Sequence, residues 1–253
     1  MLHKARVIKF KNGHAYGSAE DNVTAMAMFR DALARDPNSS DAVSGIATCH
    51  WHNTINSWSN DPMKSGEAAM RRAKEAVDLD DTNYSALGTV SIIQTLGQHD
   101  IAAAEATARN SIDMNPSDIL VRHYLVCSLE FGGKFDEAVE QCNYMMALDP
   151  CAPSLSVLCG DLSTCLLLGG NAKDAVDYSR KSMAADPGYL RGRQRLIAAL
   201  VAAGEMKEAE FEYAILRKAM PAFNLDYVKR TYPFVHEKYL QAYSKYFAAV
   251  GVQ

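Results

Sequence analysis

Between Ile119 and Pro150 the chain reads ILVRHYLVCSLEFGGKFDEAVEQCNYMMALDP. Leu125, Val126 and Leu129 fall at helical spacing before Gly132–Gly133, and Ala138, Cys142 and Met145 do so after it. The second run stops at Asp149–Pro150, because proline cannot continue a helix and turns the residue before it away from the helical region. The pattern predicts a helix–turn–helix hairpin of about 34 residues with one face to bury.

The unit recurs. Ala138 lies five residues after Gly133 and Pro150 seventeen after it; Gly170, Ala175 and Pro187 repeat those offsets, as do Gly204, Ala209 and Pro221. Six hairpins follow from this period, over about 3–37, 40–81, 83–116, 119–150, 156–187 and 190–221. In the first, Ala25, Phe29 and Ala32 lead to Asp36–Pro37, with Ser18 and Asp21 as candidate N-caps and a poorer first helix over roughly 3–16. The second is stretched by the polar loop NSWSNDPMKSG before Ala69, Ala73 and Ala76. In the third, Gly97 is placed at the turn, with two extra residues before Ala104. The fifth follows an insertion around Cys151–Pro153. After Pro221, a short helix broken at Tyr232–Pro233 precedes an amphipathic one carrying Tyr239, Tyr243, Tyr246 and Phe247. A terminal repeat leaves one apolar face open, and residues 224–250 are expected to cap it. No linker-like stretch divides the chain, which is read as one domain, 1–253.

The repeated glycine, alanine and proline positions resemble the tetratricopeptide repeat family, whose small residues let two helices cross closely. The resemblance implies an all-α, right-handed superhelical solenoid of six hairpins with a C-terminal capping helix. Three stretches are similar to a narrower group: SAEDNVTAMAMFRDALARDP, WHNTINSWSNDPMKSGEAAM and DYVKRTYPFVHEKYLQAY. They resemble the C-terminal repeat regions of bacterial class III adenylate/guanylate cyclases and of winged-helix transcriptional regulators. That likeness implies an alternative role, as the regulatory part of a signalling enzyme or transcription factor whose catalytic or DNA-binding domain is absent here.

In the repeat family the first helix of each hairpin lines a concave groove. Carried over, the groove positions include Tyr84, Leu87, His123, Cys127, Phe131, Thr164, Arg191 and Gln194. Arg195 lies four residues after Arg191 on the same helix, so both guanidinium groups are expected to converge on one carboxylate or phosphate. The implied ligand is a protein or peptide with an apolar anchor near Phe131 and an acidic group near Arg191.

Composition narrows the remaining classes. The 253 residues carry a formal net charge of −4, which gives no general attraction to nucleic acid or to an anionic membrane. No run approaches 18 apolar residues, and residues 1–13 show no secretory pattern. The six cysteines include no C-x-x-C pair and read as small apolar fillers in a reducing, cytoplasmic setting. Phosphate-binding glycine loops and G-x-S-x-G are missing from the sequence, so no enzyme is expected. His50 and His52 diverge on a helix, and no second cluster at ligand spacing completes a metal site. His123 and Cys127 share a helix face but lack an orienting third group. No cofactor or metal is expected, and self-association is left open.

Overall fold

A computed structural model describes residues 2, 18–56, 58–150, 152 and 154–253. The fold is all-α, 79% helical without strands among the described residues. The helices are α1 (Ala19–Arg35), α2 (Ser40–Ile55), α3 (Pro62–Leu79), α4 (Tyr84–Ile93), α5 (Ile101–Met114), α6 (Ile119–Gly132) and α7 (Phe135–Leu148). They continue as α8 (Leu155–Leu168), α9 (Ala172–Ala185), α10 (Leu190–Ala202), α11 (Met206–Ala219), α12 (Leu225–Thr231) and α13 (Glu237–Ala249). The first helix expected over 3–16 lies outside the described residues. The chain forms two compact units, Met1–Leu125 and Val126–Gln253.

In the first unit, side chains cap the starts of the helices. Ser18, Ser39, Asp61, Asn83 and Asp100 each accept from the backbone N–H three residues on. Each satisfies a donor that the first helical turn leaves without a partner, worth about 1 kcal/mol. Small residues set the helix crossings. A Cβ on Gly45 would lie 2.4 Å from the Phe29 ring, and one on Gly88 would lie 2.8 Å from Val121.

The third hairpin corrects the sequence expectation. Gly97 does not make the turn. A π-helical turn, Gln94–Gln98, prolongs α4, and His99 takes the left-handed conformation with φ +58°. Ala104 and Pro116 stand five and seventeen residues after His99, so this hairpin keeps the period of the others without extra residues.

In the second unit, Gly133, Gly170 and Gly204 have φ of +78°, +95° and +80°. The residue after each glycine donates to a carbonyl five residues back: Lys134 to Leu129, Asn171 to Leu166 and Glu205 to Leu200. This closes the end of the first helix of each hairpin where an L side chain would be strained. Ala138, Ala175 and Ala209 are fully buried at the crossings, as their spacing predicts. The Ser163 hydroxyl donates to the Ala175 carbonyl across one crossing, and Ser91 donates likewise to Ala104 in the first unit.

Candidate functional site

The first helices carry the positions expected to line a groove. In the first unit Tyr84 and Leu87 on α4 are half-buried, while His123 on α6 is buried. In the second unit Cys127, Phe131, Thr164, Gln194 and Arg195 are buried, and Arg191 is half-buried. The chain's own C-terminal segment covers this second-unit face, so it is not open to solvent as the sequence reading supposed.

The covering segment begins at the end of α12. Thr231 has its carbonyl 2.7 Å from Arg191 Nη2, which donates to it. Tyr232 lies beneath the Arg191 guanidinium, 3.8 Å from ring centroid to Cζ, and its hydroxyl donates to Gln194 Oε1 at 2.9 Å. The Phe234 backbone N–H turns back to the Tyr232 carbonyl at 2.8 Å around Pro233. Phe234 then meets the Phe131 ring edge-on at 5.2 Å between centroids. Val235 donates its backbone N–H to the Phe131 carbonyl at 2.9 Å and turns its side chain outward, 60% exposed.

Helix α13 continues the cover. Tyr239 packs edge-on against Phe135, with centroids 4.8 Å apart. Tyr243 lies 4.8 Å from Tyr232, and its hydroxyl is 3.4 Å from that of Thr164. Phe247 packs edge-on against Phe223, which follows the last hairpin. The aromatic stripe thus reaches from α7 to the end of the last hairpin, further than a terminal cap alone requires. Gly133 belongs to the same contact, since a Cβ there would fall 2.9 Å from the Tyr239 ring.

Beneath this cover Arg195 is paired inside the unit through its terminal nitrogens, while its Nε is buried without a hydrogen-bond partner. A Cβ at Gly160 would fall 2.8 Å from its Nη1, so the glycine makes room for the guanidinium. Arg195 pairs with Glu130 at 3.3 Å and with Asp161. One guanidinium faces two buried carboxyls. Burial raises the Glu130 carboxyl to about 8, with Asp161 adding to the rise and Arg195 opposing it. Burial therefore favours the protonated form of Glu130 more than in an exposed carboxyl. Burial also pushes the Cys142 and Cys165 thiols well up, consistent with apolar filling and not with nucleophilic chemistry.

The expected convergence of Arg191 and Arg195 on an external acid is not what the structure builds. Arg195 is neutralised inside, and Arg191 holds a neutral carbonyl and a ring. Of the residues that fill the face, the sequence reading marks Tyr232 only as the break of a short helix and carries Phe234 only within the stretch DYVKRTYPFVHEKYLQAY. Their signal was the Tyr-Pro-Phe stretch between two helical runs, which frees a short segment to lie extended.

The fold is that of tetratricopeptide repeat proteins. A structure of the human IFIT1 dimer with m7Gppp-AAAA is similar, with a TM-score of 0.65 and 14% identity over 92% of this chain and 55% of that one. A crystal structure of PilW, a type IV pilus biogenesis factor, gives 0.59 and 16% over 81% and 88%. TTC0263, a tetratricopeptide repeat protein of Thermus thermophilus, gives 0.53 and 16% over 72% and 92%. The chain spans about half the length of IFIT1. At these identities the likeness is one of fold. No family model and no curated protein sequence matches the chain. No helix among the described residues is long and apolar enough to cross a membrane.

Proposed function

We propose that this protein is a non-catalytic binding module that recognises an extended protein segment on the first helices of its hairpins. One observation carries the reading. The second-unit face already holds a stretch of polypeptide by the means such a surface would use on a partner. These are a backbone N–H to the Phe131 carbonyl, an Arg191 contact to a main-chain carbonyl, and aromatic rings against Phe131 and Phe135. IFIT1 is seen with m7Gppp-AAAA. Here Arg195 is paired with Glu130 and Asp161 inside the unit and does not reach a phosphate, which favours a protein segment over an RNA. The sequence likeness to cyclase and winged-helix regulators is compatible with the same module acting inside a longer protein, but no contact in the fold favours that role.

The test is affinity capture followed by mass spectrometry with the wild-type chain and with a Tyr84→Ala/Leu87→Glu variant and an Arg191→Glu variant, each shown to fold by circular dichroism. The reading expects a reproducible partner that at least one variant loses. A partner retained undiminished by both would place binding off the first-helix faces.

A further inference from the structure

We propose that residues 231–236 act as a built-in ligand of the second unit, and that the external partner displaces them with an extended segment of the same aromatic–proline–aromatic chemistry. The inference rests on the binding reading above and deepens it by naming what the face recognises.

Between α12 and α13 the chain leaves helical conformation for Tyr232–His236. Pro233 has no N–H to offer and suits a tight extended turn. Tyr232, Pro233 and Phe234 are buried, while Val235 points to solvent. Two rings separated by one proline thus enter the same face, and the backbone beyond them is tied by one N–H. Helix α12 has only seven residues, and α13 starts after His236 without a side-chain cap. The helices that receive the segment close their own turns at Gly133, Gly170 and Gly204 with bonds that do not involve it. The turns of those hairpins are thus closed without the segment.

The receiving groups specify the ligand. Gln194 accepts a phenolic hydroxyl, and Phe131 offers a ring edge and a carbonyl. Arg191 offers a flat cation over a ring and a donor to a main-chain carbonyl. Arg195 lies inside, paired with Glu130 and Asp161, and cannot reach a ligand. This set fits a neutral tyrosine–proline–phenylalanine segment better than an acidic peptide. A tethered segment has an effective concentration of order mM, so a free peptide competes only when the tethered copy is weakened.

The experiment uses a fluorescent peptide with the sequence of residues 229–237 and the full chain carrying Phe234→Ser and Val235→Pro, which alter the segment and leave the receiving face intact. Fluorescence anisotropy should show saturable binding to the variant and at least tenfold weaker binding to wild type. A peptide with both rings replaced by alanine should not bind. A folded variant that ignores the peptide overturns the proposal. So does a variant that instead forms a dimer by size-exclusion chromatography, because a second copy is then the occupant. If that variant does not fold, hydrogen exchange on the milder Phe234→Leu variant, whose tethered copy is weakened, decides. Excess peptide should speed exchange in residues 232–253 while α8 and α10 stay protected, and unchanged exchange overturns the proposal. Loss of peptide binding with partner capture intact would sink this inference alone; capture insensitive to first-helix substitutions would sink the binding reading instead.

Discussion

The guanidinium of Arg191 lies 3.8 Å over the ring of Tyr232 while donating to the carbonyl of Thr231, one residue earlier. One side chain on α10 therefore grips both the backbone and the ring of the C-terminal segment. A cation over a largely desolvated ring is worth up to about 2 kcal/mol, and its planar fork adds a directed hydrogen bond. Arg191→Ala should lower unfolding stability by about 1–3 kcal/mol in urea titration. Arg191→Lys should recover only part of this, because an ammonium cannot lie flat on the ring. A lysine variant as stable as wild type would show that charge alone matters there.

Glu130 sets a pH dependence. Its folded carboxyl is raised to about 8 by burial, above its value in the unfolded chain. Between the ordinary carboxylate range and about 8, the native state binds a proton that the unfolded state has lost. Stability contributed by this group is thus fully present below the ordinary range, falls as pH rises, and stops falling above about 8. The slope approaches at most about 1.4 kcal/mol per pH unit. Glu130→Gln should flatten the dependence of the urea midpoint between about pH 5 and about pH 8. An unchanged slope would assign the retained proton elsewhere.

Gly133 and Gly204 form a matched pair. Both have φ near +80°, but a Cβ at Gly204 meets nothing within 4 Å, whereas one at Gly133 falls 2.9 Å from Tyr239. Gly204→Ala should cost about 1–2 kcal/mol from backbone strain alone. Gly133→Ala should cost more, because it also pushes α13 away. Equal costs in thermal unfolding would mean that Tyr239 yields without penalty.

Ala175 tests the helix crossings. It is fully buried against α8, where the Ser163 hydroxyl reaches its carbonyl. Ala175→Leu should overpack the crossing and cost about 1–3 kcal/mol in denaturant titration. An unchanged midpoint would contradict the close approach.

The period made the hairpins legible because glycine, alanine and proline each have one physical reason to stand where they do. His99 hid the third turn, since only its left-handed backbone shows that it takes the glycine's place. The first-helix faces were also legible as apolar and arginine-bearing. What covers them was not. Tyr239, Tyr243 and Phe247 give a helical stripe that predicts burial but not against what. The pairing of Phe131 with Phe234, or of Arg195 with Glu130 and Asp161, joins residues far apart in the chain that no local spacing connects.

The central claim is that the C-terminal segment fills the second-unit face in the resting protein. Its most direct test is a nuclear Overhauser measurement on the full chain with selectively labelled phenylalanine. The rings of Phe131 and Phe234 lie 5.2 Å apart between centroids in an edge-on contact, so their nearest protons should give a cross-peak that disappears in Phe234→Leu. Absence of that cross-peak in the folded wild-type protein would contradict the account.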